Sequence, residues 1–147
     1  MRYPRGFTLV ELVAVMVLVG LLAAAASSRF FGNDIQRIQK SRDHLVAAFF
    51  SAQQLAMAQR DPVRLVVQTN STSGLDEIDL QQNSGAGFTS LRFWDGQNYP
   101  LALDADQGLT AATFNFDRLG QTAARNLTLT QGSSSTTISI NEAGFVQ

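Results

Sequence analysis

The chain reads as an α+β protein: a long N-terminal helix, membrane-spanning in its first half and amphipathic in its second, packed on an antiparallel β-sheet domain. Three observations predict this. From Phe7 to Ala26 every residue is apolar except Thr8, Glu11 and Gly20. Apolar residues then recur at spacings of three and four, and beyond Pro62 the period changes to two. The expected segments are a leader at 1–6, a membrane or assembly helix at 7–28, an amphipathic helix at 29–61 and an antiparallel β domain at 62–147.

The apolar run comes first. About 20 to 22 residues at a helical rise of about 1.5 Å cover roughly 30 to 33 Å, the thickness of a bilayer's hydrocarbon core. Arg2 and Arg5 precede it and no acidic residue does, so the positive-inside bias leaves the first six residues in the cytoplasm and sends the remainder outward. A plain anchor is one reading of this run. A secretory signal peptide is another, because Ala23 to Ser28 supplies small residues of the kind signal peptidase prefers. Neither accounts for Glu11, since a carboxylate at the centre of a membrane helix costs about 2.5 to 3.5 kcal/mol on insertion scales. A third reading supplies a partner. A cut after Gly6 would make Phe7 the terminus, and its amine would lie one helical turn before Glu11. Between helices offset along a fibre, that amine and the carboxylate of a neighbour would set register, because an unpaired charge in a packed core is penalised by several kcal/mol.

The string Gly6-Phe7-Thr8-Leu9-Val10-Glu11-Leu12 resembles the class III signal of type IV pilins and type II secretion pseudopilins. The resemblance implies a prepilin leader at 1–6, cleavage between Gly6 and Phe7 by a prepilin peptidase, N-methylation of Phe7 and a docking role for Glu11. It also implies an inner-membrane protein with its N-terminus cytoplasmic and its C-terminal domain periplasmic. That protein would then enter a pilus or pseudopilus fibre through an inner-membrane assembly platform, with other pilin or pseudopilin subunits as partners. Many members carry a proline where this chain has Ser28, which removes the basis for a proline kink there.

The second half of the helix follows from Ile35, Ile38, Leu45, Val46, Phe49 and Ala52 or Gln53 through Ala56, with Gln36, Arg37, Lys40, Arg42 and Asp43 on other faces. Gly32-Asn33-Asp34-Ile35-Gln36 sets a stop-like glycine before an Asn cap, predicting a kink or short break near Gly32. Pro62 ends the helix.

Strands are expected at Val63 to Gln68, Leu75 to Leu80, Ser90 to Trp94, Thr113 to Asp117, Asn126 to Thr130 and Thr136 to Asn141. Asp95-Gly96, Gly108 and Gly120 serve as turn signals. Phe114 with Phe116, Leu127 with Leu129, and Ile138 with Ile140 alternate with polar residues, as a single antiparallel sheet with one face under the amphipathic helix requires. The stretches Phe114-Asn115-Phe116-Asp117-Arg118-Leu119-Gly120 and Ile138 to Val146 are similar to the F-D-x-x-G and I-S-x-x-G-x-V ends of minor pilins and pseudopilins related to the secretion H component. Ala52 to Met57 and Asp61-Pro62-Val63 are similar to minor pilins of the mannose-sensitive haemagglutinin type. These point to a minor, structural subunit of a type IV pilus, with a type II secretion pseudopilin and a secreted periplasmic binding domain as alternatives.

Composition narrows the chemistry. A net charge of −1 with 16% charged residues encodes no general pull towards nucleic acid, and the absence of cysteine removes disulfides, thiolate metal sites and thiol nucleophiles. The single histidine, His44, has no second His or Cys with which to form a metal site or nucleophile–base pair. Asp76, Glu77 and Asp79 read as an acidic patch. Asp104-Ala105-Asp106-Gln107-Gly108 holds part of a calcium-loop pattern but lacks its terminal Glu. Arg29, Arg37, Lys40 and Arg42 form a stripe interrupted by Asp34 and Asp43, which argues against phosphate binding. No enzyme activity, cofactor, metal or nucleic-acid partner is expected.

Overall fold

The computed structural model describes residues 8–92 and 98–147, with side chains at 24–33 outside the description. The chain divides into two compact units, residues 1–35 and 36–147.

Helix α1 runs Leu9–Ala58. Gly32 does not break it, contrary to the stop expected there, and the backbone is also helical through Ser28. One glycine in a helix interior costs only about 1 kcal/mol relative to alanine, too little to end a helix whose flanking turns continue on both sides. Pro62 has the predicted effect. The last helical residue is Ala58, and the chain enters β1 directly after the proline.

In the first unit every described side chain from Thr8 to Ala23 is exposed. Leu9, Val10, Leu18, Leu21 and Leu22 are among them.

The second unit has eight strands: β1 Val63–Thr69, β2 Asp76–Asn83, β3 Phe88–Ser90, β4 Leu101–Ala102, β5 Gln107–Leu109, β6 Ala112–Phe116, β7 Arg125–Gln131 and β8 Ser134–Ile140. All pairings between them are antiparallel, but there are two sheets rather than the single one expected. A five-stranded sheet has the order β3-β2-β1-β6 with β4 also on β2, and a three-stranded sheet has the order β5-β7-β8. The division follows from residues 117–124, a turn and an irregular stretch that carry β7 away from β6. Short β4 and β5 escaped the sequence reading because two or three residues show no period. The strand expected at Ser90 to Trp94 is replaced by β3 and an isolated bridge between Arg92 and Asn98. Phe93, Trp94 and the Asp95-Gly96 turn lie outside the described residues.

One core serves both sheets. Leu45, Ala48, Phe49, Ala52 and Ala56 on α1 pack with Leu65, Val67, Ile78, Leu80, Phe114, Phe116, Leu127, Leu129, Ile138 and Ile140. Phe49 lies edge-on to Phe114 and Phe116, with ring centroids 4.8 and 5.9 Å away. These are favourable aromatic geometries. The amphipathic half of the helix is thus the cover that the alternating strands required.

The acidic patch resolves differently. Strand alternation turns Glu77 and Asp79 to one face and Asp76 to the other, and both Glu77 and Asp79 are buried. Glu77 accepts from Gln68 Nε2 at 2.8 Å and Asn70 Nδ2 at 2.9 Å. Asp79 accepts from Gln81 Nε2 and Ser90 Oγ. Asp76 Oδ2 accepts from Leu109 N at 2.7 Å, tying β5 to the start of β2. These carboxylates organise backbone and amide donors.

Candidate assembly site

Gly6 and Phe7 lie outside the described residues; Glu11 lies within them. Thr8 is the N-cap of α1 and Glu11 is three residues on. Glu11 N donates to Thr8 Oγ1 at 3.3 Å, while Thr8 N and Thr8 Oγ1 donate to Glu11 Oε2 at 3.4 and 3.3 Å. This reciprocal arrangement is a capping box, which satisfies N–H groups that the first helical turn leaves unpaired. Thr8-Leu9-Val10-Glu11 spells that S/T-x-x-E signature in the sequence.

The cap does not exhaust the carboxylate. All three contacts are longer than the usual 2.7 to 3.2 Å range, and Glu11 remains exposed. The group is oriented locally yet open to a second partner. The exposed leucines and valines that follow it continue along the same helix to the end of the described side chains at Ala23. Among the described residues no helix is long and apolar enough to cross a membrane; the apolar run of the sequence continues to Ala26, past the last of those side chains.

In the second unit the two motif-bearing ends of the sequence form the same turn twice. Asp117 N donates to Gln121 O and Gly120 N to Asp117 O; Asn141 N donates to Phe145 O and Gly144 N to Asn141 O. The side-chain Oδ1 of Asp117 accepts from Gln121 N, and that of Asn141 accepts from Phe145 N. Gly120 and Gly144 hold φ of 76° and 80°, the left-handed conformation that glycine adopts without steric cost. Both turns close on Gln53 of α1, whose Nε2 donates to Ala143 O at 2.7 Å and Gly120 O at 3.3 Å. Thr122 N joins the turns by donating to Glu142 O. The F-D-x-x-G and I-S-x-x-G-x-V patterns therefore encode one structural node.

A Cβ at Gly144 would lie 2.7 Å from Gly120 O, whereas one at Gly85, also at positive φ, meets nothing within 4 Å. Gly144→Ala should lose more stability than Gly85→Ala. Backbone strain accounts for about 1 to 3 kcal/mol in either, and only the first also forces the turns apart. Thermal melts of the two detergent-solubilised variants, followed by circular dichroism, check this; equal melting temperatures would remove the node's significance.

His44 is half-buried beside Lys40, Ser41 and Asp104 at a cavity of about 50 Å³. In the 104–108 loop the side chain that turns inward is Gln107, held by Ser41 Oγ at 2.7 Å. Among the described residues no group of three or more His, Cys, Asp or Glu could hold a metal ion.

Residues 1–27 match the family model described as the prokaryotic N-terminal methylation motif. The match spans Gly6, Phe7 and Glu11. Over 125 residues the chain is 31% identical to the type IV narrow pilus major component PilA5 of Thermus thermophilus, an alignment covering 85% of this chain and 97% of that protein. The chain belongs to the type IV pilin family. No solved structure gives a significant match. The pilin's α+β architecture and its N-terminal signal agree with the sequence reading. The alignment also reaches well past the signal into the β domain, so the kinship does not rest on the helix alone.

Proposed function

We propose that this pilin is a non-enzymatic structural subunit of a type IV pilus. It is made as a prepilin, and residues 7–28 hold it in the inner membrane with the N-terminus cytoplasmic and the β domain periplasmic. Prepilin peptidase cuts between Gly6 and Phe7 and methylates the Phe7 amine. The subunit then leaves the bilayer through the assembly platform, and Glu11 docks against the terminal amine of a neighbouring subunit. The observation that carries this reading is the methylation-motif match over residues 1–27, in a chain whose helix exposes large apolar side chains from Leu9 to Leu22. Extraction of such a helix from lipid is favourable only where other helices replace the lipid.

The ends of the two glycine turns support a minor subunit of the H-component type. A second reading, a major shaft subunit, is favoured by the name of the Thermus relative, a major component of a narrow pilus. Abundance in purified fibres separates them: a minor subunit is present at a small fraction of the principal pilin. A type II secretion pseudopilin would show instead as loss of protein export, with surface pili intact, when the gene is deleted.

The first test is the mass and N-terminal sequence of the protein purified from membranes of its host. The expected terminus is Phe7 bearing one methyl group. An intact Met1, or a terminus near Ser27 as ordinary signal peptidase would leave, would overturn the assembly reading.

A further inference from the structure

Gln107 on β5 and Gln131 on β7 stand directly opposite each other in the ladder. Their side chains therefore leave the sheet on the same face. Both are buried, at 8% and 3% exposure. Gln107 Oε1 accepts from Ser41 Oγ at 2.7 Å and from Asp104 N at 3.3 Å. A main-chain N–H can only donate, so the orientation of this amide is fixed, with oxygen towards Asp104 and nitrogen away from it. That nitrogen has no acceptor, and Gln131 Oε1 has no donor. Turning the Gln131 amide over would only exchange an orphaned acceptor for an orphaned donor.

An unpaired donor and an unpaired acceptor thus occur on facing residues of one ladder, without forming a bond to each other. Either group, left dry, carries its full desolvation penalty. Where complementary polar atoms on neighbouring side chains fail to meet, a bridging water is the small ligand whose hydrogen bonding fits both, since it accepts from one and donates to the other.

We propose that the domain binds one buried water between Gln107 Nε2 and Gln131 Oε1. It accepts from the first and donates to the second. The result is a continuous hydrogen-bonded line from Ser41 on α1, through Gln107 and the water, to Gln131 on β7. The line ties the helix to the three-stranded sheet at the short strand β5, which has only three residues in the ladder. The water is an integral part of the fold, and this inference stands whether or not the pilin is a pilus subunit.

Water–protein cross-relaxation, measured on the detergent-solubilised full chain with labelled glutamine side chains, tests it. The Gln107 side-chain amide protons should show a cross-peak to water with the sign of a long-lived bound molecule. In Gln131→Met, which keeps the side chain's length and removes the strong acceptor, that cross-peak should be lost. Absence of the cross-peak in the unmodified chain overturns the proposal, as does a scalar coupling revealing a direct Gln107–Gln131 bond. Persistence of an unchanged cross-peak in Gln131→Met also overturns it. Should that variant fail to fold, the unmodified chain alone decides.

Discussion

Glu11→Val should yield a stable, membrane-inserted pilin whose incorporation into fibres falls by roughly a hundredfold or more. The magnitude comes from the partner left behind. Removing one member of a buried ion pair costs about 3 to 5 kcal/mol, and each 1.4 kcal/mol is about a factor of ten. Valine also makes the helix more apolar, so retention in lipid is favoured as docking is weakened. Glu11 has a second role in the capping box with Thr8, and a control must separate the two. Thr8→Val removes the hydroxyl of the cap and leaves the carboxylate. Loss of a capping side chain costs about 1 kcal/mol, so that variant should remain within about tenfold of the unmodified protein. Fibre and membrane fractions quantified by immunoblot give both numbers. Equal defects would mean that Glu11 matters for helix capping alone, and normal incorporation of Glu11→Val would eliminate the docking role.

Phe49→Ala should destabilise the β domain by about 3 to 5 kcal/mol, the usual cost of emptying a buried aromatic site. Phe49 is fully buried. It also makes edge contacts with Phe114 and Phe116, so the cavity opens at the place where helix and sheet meet. For a domain of this size the melting temperature should fall by at least about 10 °C. Phe50 sits one residue later and is exposed, so Phe50→Ala should change it little. The pair tests the helix phase read from the sequence: comparable losses for both would mean that the assigned face is wrong.

Legibility in the sequence followed the length of each pattern. The helix and the longer strands could be read because their periodicity persists over many residues, and Phe114, Phe116, Leu127, Leu129, Ile138 and Ile140 are all buried as alternation required. What could not be read depended on contacts between distant segments. The residues around Gly32 favour a break locally, yet the helix continues. The division into two sheets turns on how residues 117–124 travel, and nothing periodic records that. Burial of Glu77 and Asp79 depends on amides and a hydroxyl supplied by Gln68, Asn70, Gln81 and Ser90. At the N-terminal site the family motif is legible in the sequence, and Thr8-Leu9-Val10-Glu11 spells the capping partnership as well. Gln53 enters the helical period only as an alternative to Ala52, and nothing local marks its amide as the donor on which two distant turns converge.

That convergence bears on how the protein is made. The acceptors of Gln53 lie 67 and 90 positions later in the chain, and a polypeptide is synthesised and exported from its N-terminus. With the periplasmic β domain proposed above, Gln53 reaches the far side of the membrane well before the carbonyls that complete its bonding. Until those residues arrive, the amide and the apolar face beside it have only solvent, lipid or chaperones for company. A subunit whose two turns have not closed on the helix is immature in a physically defined way, and its exposed helix face distinguishes it from a finished subunit.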